Sequence, residues 1–195
     1  KMQEKNKYFF TAKVIAKNKI FFDEIDSTQK KARELAEKKV ENGTIIITDY
    51  QTNGVGTHNR NWYHEKEKNI AFSLILYPKC KINMLESLTI DIAKIMQHVI
   101  EKLYEVKLEI KKPNDLIYHN KKVGGILTQI VTNGENIKYL IIGIGINVNG
   151  TNFPEELKEI ATSLKIEFGK EFSREKIISA FCNEFENYCI EKKIF

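Results

Sequence analysis

The chain has 195 residues, of which 42% are hydrophobic and 29% charged, and a formal net charge of +5 at pH 7. That balance suits one well-buried globular domain and excludes an intrinsically disordered chain. No apolar run exceeds about ten residues, well short of the roughly 20 that a membrane-spanning helix needs.

Only three of the 31 basic residues are arginines, Arg33, Arg60 and Arg174. Arginine is the usual residue for bidentate phosphate and base recognition. The excess lysines, mixed with 26 acidic residues, therefore read as a solvated surface, and neither a nucleic acid nor a membrane is expected as partner. The opening residues do not read as a secretory leader. Cys80, Cys182 and Cys189 are odd in number and lack CxxC spacing, which points to a reduced, cytoplasmic compartment.

Residues 1–18 form a lysine-rich lead-in with an aromatic cluster at Tyr8, Phe9 and Phe10. A strand follows at 20–22, then a helix capped by Asp26 or Ser27, with Ala32, Leu35, Ala36 and Val40 at helical spacing and Gly43 as its stop. Residues 44–48 read as a strand. The polar stretch 49–68 is a long connection of the kind that carries function in compact domains. A strand at 69–77 precedes a long helix opened by an Asn83/Glu86 capping box, with Leu85, Leu88, Ile92, Ile95, Val99 and Leu103 as its buried stripe. Four more strands are expected at 106–111, 115–118, 122–131 and 136–148. The last two are joined by a turn at 132–135. Ser173 opens a final helix that turns Ile177, Phe181, Phe185 and Tyr188 inward, and Cys182 and Cys189 share its apolar face. Helices flanking a run of hairpin-connected strands imply an α+β fold with a mixed, mainly antiparallel sheet.

Two stretches suggest chemistry. In 109–130 a hairpin would bring Asp115 and Lys122 to the same level on neighbouring strands, where opposite charges can meet. Gly124 and Gly125 beside them would let a ligand lie against the backbone, and Pro113 stiffens the turn that presents Asn114. In 51–62, Gly54 and Gly56 are not followed by the third glycine of a dinucleotide fingerprint, and no P-loop occurs. Trp62 and Arg60 suit a loop that folds over an anionic or planar ligand. The four histidines show no metal-ligand spacing, and His98 reads as a structural or surface residue on the long helix.

Taken in order, Asp26-Ser27-Thr28-Gln29, residues 51–62, Lys111-Lys112-Pro113-Asn114-Asp115, Lys122-Val123-Gly124-Gly125-Ile126-Leu127 and Ile142-Gly143-Ile144-Gly145-Ile146-Asn147-Val148-Asn149 resemble the catalytic domain of biotin protein ligases. The resemblance covers roughly residues 20–165 and implies a fold related to class II aminoacyl-tRNA synthetases. It implies ATP-dependent activation of biotin to biotinyl-5'-AMP and transfer to a lysine of a biotin carboxyl carrier protein, with ATP and Mg²⁺ required. A lipoate-type protein ligase and a non-catalytic biotin-binding module remain as alternatives, and a homodimer is compatible with all three.

By position, Ser27, Thr28, Gln29, Gln51, Gly54, Val55, Gly56, Thr57, Gly124 and Gly125 would line the biotin pocket. Arg60, Trp62, Asn114 and Asn147 would hold the nucleotide. Lys122 would contact both substrates, and Asp115 would either orient it or take a proton from the attacking lysine. No protein metal ligand is expected. The sequence departs from the family's pattern where Val55 and Thr57 replace arginines of the glycine loop, Lys112 a tryptophan, and Gln29 an asparagine. The expected organisation is a single catalytic domain over 1–195, without the helix-turn-helix domain and C-terminal β-barrel of many relatives, and hence without repressor activity of its own.

Overall fold

A computed structural model of the chain describes residues 7–195; the first six residues of the lead-in lie outside the described residues. Seven strands form one sheet in the order β1-β2-β5-β9-β8-β7-β6. In chain order they are β1 (Lys19–Phe22), β2 (Ile45–Thr48), β5 (Ile70–Leu76), β6 (Glu109–Lys111), β7 (Asp115–Tyr118), β8 (Lys121–Asn133) and β9 (Asn136–Ile146). A two-stranded ribbon of β3 (Gly54–Val55) and β4 (Asn61–Trp62) stands apart inside the long loop. Only β1 and β2 pair in parallel, because α1 (Thr28–Glu37) makes the crossover between them; every other pairing in the sheet is antiparallel. The expected α+β class and mixed sheet are both present.

The isoleucine run shows why both faces of the sheet are buried. Ile45 and Ile47 join the larger core, whereas Ile46 joins a smaller one with Ala32, Ala36, Ile75, Tyr139 and Ile141. Side chains alternate across a strand, so a strand apolar at every position must be covered twice. Helices α2 (Leu88–Tyr104) and α4 (Arg174–Glu191) contribute to the larger core, with Ile15 of the lead-in. The ten-residue α1 supplies the helical side of the smaller core. The rest of that face carries small residues.

Several boundaries differ from those expected. Helix α1 is capped by the Ser27 side chain, which accepts from Lys30 N, and ends at Glu37. Gly43 does not stop it but sits at φ +82° in the following turn. There a Cβ would collide with the Val14 carbonyl. Helix α2 starts at Leu88 after a 3-10 turn at Ile82–Leu85, and Asn83 makes no capping box. Its inner stripe runs through Ala93, Met96 and Ile100, while Leu103 is exposed. His98 is exposed on the same helix, and Cys182 and Cys189 are free and fully buried. The short α3 (Leu164–Phe168), capped by Ser163, was not expected. No helix among the described residues is long and apolar enough to cross a membrane.

Candidate active site

The site begins as rows across the sheet. Thr48, Ala71, Gly145, Gly125 and Asp115 stand opposite one another on β2, β5, β9, β8 and β7, and Ile46, Ser73, Gly143 and Leu127 form the next row. Residues directly opposite in a sheet share a face, so Ala71, Ser73, Gly125, Gly143 and Gly145 make a trough of small side chains, reached from α1 by Thr28 and Gln29 of its first turn. The loop 51–62 and the first turn of α1 roof it. The result is a tight pocket of about 40 Å³, which Thr28, Gln29, Gln51, Val55, Gly56 and Thr57 help to line.

A second, roomier pocket of about 370 Å³ adjoins it, with Arg60, Asn61, Lys111, Asp115 and Asn147 among its lining residues. Gly56, Thr57, Trp62 and Lys122 belong to both. The indole of Trp62 is the partition. It lies flat on β9, where a Cβ on Gly145 would come within 2.5 Å of the ring, and its Nε1 is buried without a hydrogen-bond partner.

Lys122 reaches this seam through a bulge. Leu116 pairs with Gly124 but Ile117 with Lys122, so Val123 is an extra residue on β8. An extra residue re-aims the side chains around it. Lys122 and Gly125 consequently meet although three positions apart: a Cβ on Gly125 would touch Lys122 Cε at 3.3 Å. The ammonium sits 2.8 Å from Asp115 Oδ1 and 5.2 Å from the Trp62 ring centroid. Asp115 and Lys122 are therefore paired as expected, but diagonally across the bulge and not face to face. The contact is a close ion pair and not a well-aligned hydrogen bond, since Asp115 Oδ1 has no hydrogen-bond partner. The Lys122 backbone is pinned as well, its N–H donating to Ile160 and its carbonyl accepting from Thr162.

The two pockets gather most of the predicted residues. Ser27, Gly54 and Gly124 line neither. Ser27 caps α1, and a Cβ on Gly54 would come 2.7 Å from Trp62 O, one on Gly124 3.1 Å from Gly145 O. Asn114, expected beside the nucleotide, lines the inner pocket instead, with its amide nitrogen donating to Ile126 O. Asn147 lines the outer pocket and leaves a buried Oδ1 without a partner. Among the described residues no group of three or more His, Cys, Asp or Glu side chains is placed to hold a metal ion. Sequence reasoning missed Ser73. Its signal is that it is the one polar residue in β5, a strand buried along its whole length.

The mixed, mainly antiparallel sheet flanked by helices matches the fold of solved biotin protein ligases. The enzyme from Aquifex aeolicus solved with biotin and ATP superposes with a TM-score of 0.75 at 32% identity, covering 91% of this chain and 73% of that one. The Leishmania major ligase solved with biotinyl-5-AMP gives 0.72 at 25% identity, covering 90% and 76%. The model of the biotin/lipoate A/B protein ligase family matches residues 21–147, and the chain belongs to that family. The bifunctional ligase/repressor BirA of Bacillus spizizenii is 38% identical over 175 residues, or 89% of this chain. The chain spans 54% of that relative's length.

Proposed function

We propose that this domain activates biotin with ATP to biotinyl-5'-AMP and transfers the biotinyl group to a specific lysine of a biotin carboxyl carrier protein. One observation carries the reading: the Lys122 ammonium stands in the wall common to two adjoining pockets. The inner pocket takes biotin, with its ring beside Thr28, Gln29 and Gln51 and its chain along Gly125. The outer pocket takes ATP, with Arg60 beside phosphate oxygens and Trp62 and Asn147 beside the base.

In the first step a biotin carboxylate oxygen attacks the α-phosphorus of ATP, and the bond to pyrophosphate breaks. Both reactants are anionic. Lys122 reduces their repulsion and stabilises the charge that builds on the phosphoryl oxygens. In the second step the carrier's amine attacks the acyl carbon and gives up a proton to water as AMP departs with the C–O bonding electrons. Asp115 holds the ammonium in place at 2.8 Å. Mg²⁺ brought in with ATP would neutralise part of the triphosphate charge in the outer pocket. The same reading puts the protein in the cytoplasm, in keeping with its free thiols. It leaves a homodimer to be tested by sedimentation.

Biotin-dependent ATP–pyrophosphate exchange tests the reading. Lys122→Ala is expected to lose about 10²-fold in exchange rate, the cost of one preorganised donor. Equal exchange by both proteins would remove Lys122 from the mechanism. Exchange that answers to lipoate and ignores biotin would reassign the substrate.

A further inference from the structure

Ser73 is fully buried at the deep end of the inner pocket, and its hydroxyl touches two neighbours. One is Gln29 Oε1 at 2.9 Å, the other Thr28 Oγ1 at 2.9 Å. The direction of these bonds follows from the inventory of protons. Gln29 Nε2 donates to the Leu127 carbonyl at 3.4 Å and to Gln129 Oε1 at 3.1 Å. Its Oε1 can then only accept, so the single proton of Ser73 is committed to Gln29. With that proton on Gln29, Thr28 is left to donate in the Thr28–Ser73 contact, whose geometry allows either direction. Its alternative acceptor is Gln51 Oε1 at 3.1 Å, which already takes the Thr28 N–H at 2.9 Å. Either way, both hydroxyl protons are used inside the network. What Thr28 and Ser73 can offer a ligand is lone pairs.

From this relay we infer that Ser73, set by Gln29 and Gln129, is a positioning residue for ligand specificity: it makes the hydroxyls of the deep pocket hydrogen-bond acceptors and so selects a head group bearing N–H donors. The inference rests on the proposed activity and adds to it the property by which the pocket would tell two acids apart. The cyclic urea of biotin carries two N–H groups, whereas a dithiolane ring carries none and would leave the acceptors unpaired. Gln29 is also wedged over Gly143, where any Cβ would run into its Oε1. Donation from Gln29 Nε2 to the Leu127 carbonyl, which can only accept, sets the amide in the orientation that the relay needs.

Ser73→Ala is expected to raise KM for biotin roughly tenfold, about the worth of one hydrogen bond in a buried network. It should leave KM for ATP and kcat of exchange near wild type, and narrow the preference for biotin over lipoate. Gln129 is only half-buried, so it offers a gentler second probe. Gln129→Met removes the acceptor that orders Gln29 and should raise KM for biotin in the same direction, while Gln129→Glu keeps an acceptor oxygen and should restore it. A merely structural role would not split the two KM values or follow the chemistry of residue 129. Unchanged KM for biotin in Ser73→Ala, or equal KM in the two Gln129 variants, would overturn the inference. A wild-type chain without biotin-dependent exchange would instead overturn the proposed activity.

Discussion

Gly145 shows what a missing Cβ contributes at this site. The indole of Trp62 lies where a methyl would be, 2.5 Å from its Cε2 and 2.6 Å from its Nε1. No real side chain tolerates such an approach, so in Gly145→Ala the ring must leave the seam or the strand must shift. Trp62 is the only tryptophan in the chain, and its emission reports on that partition directly. Gly145→Ala is expected to red-shift the emission and to weaken biotin binding at least roughly tenfold, as overpacking of about 1–3 kcal/mol would, while the far-UV circular dichroism stays unchanged. An unshifted spectrum would mean that the ring already has room to move. The sequence marks Gly145 only as one of a pair of glycines in an apolar strand. What makes it matter is a tryptophan more than eighty positions away in sequence, and no local pattern carries that distance.

At the scale of elements, the loop 51–62 is more ordered than its polar composition suggests. Its ribbon pairs Gly54 with Trp62 and Val55 with Asn61, and Gly56 N donates to Arg60 O at 2.7 Å. His58 and Asn59 take positive φ at the tip. Thr57 consequently reaches the walls of both pockets. A guanidinium there would lie beside an adenylate bridging the two, which is why its absence should loosen retention of that charged intermediate. Thr57→Arg is expected to slow release of biotinyl-5'-AMP about five- to tenfold, in line with one added charge-assisted contact. Dilution of a radiolabelled complex measures this; release at the wild-type rate would refute it. The sequence made the strands and the loop's importance legible because periodicity and glycine content are local. It hid the bulge at Val123, which arises from pairing with β7. It also misplaced the start of α2, because Asn83 and Glu86 satisfy a capping pattern where the chain makes a 3-10 turn.

Across the whole molecule, the described start of the chain is tied to its last helix by Ser179, which accepts from Phe9 N, by Asn183, which accepts from Thr11 N and Ala12 N, and by one carboxylate. Glu186 of α4 accepts from the backbone N–H groups of Lys13, Val14 and Ile15 at 2.7, 2.7 and 2.8 Å. This is why Ile15 can be buried beside the sheet although the lead-in forms no helix or strand there. Burial pushes the Glu186 pKa up, but the three N–H donors, with Lys13, outweigh it and leave it below 4.5. A carboxylate with a depressed folded pKa adds stability above its unfolded pKa and loses it as pH falls through the folded one. Glutamine can replace one acceptor oxygen but turns an N–H₂ toward a second donor. Glu186→Gln is therefore expected to cost roughly 2 kcal/mol near neutral pH, lowering Tm by about 4–8 °C. The gap should close as the medium is acidified through the unfolded pKa of roughly 4.3 and on through the depressed folded one, because the wild-type carboxyl is then protonated too. Thermal denaturation of both proteins over that range measures it. A gap that persists undiminished at the acid end would show that shape at position 186, and not its charge, joins the lead-in to α4.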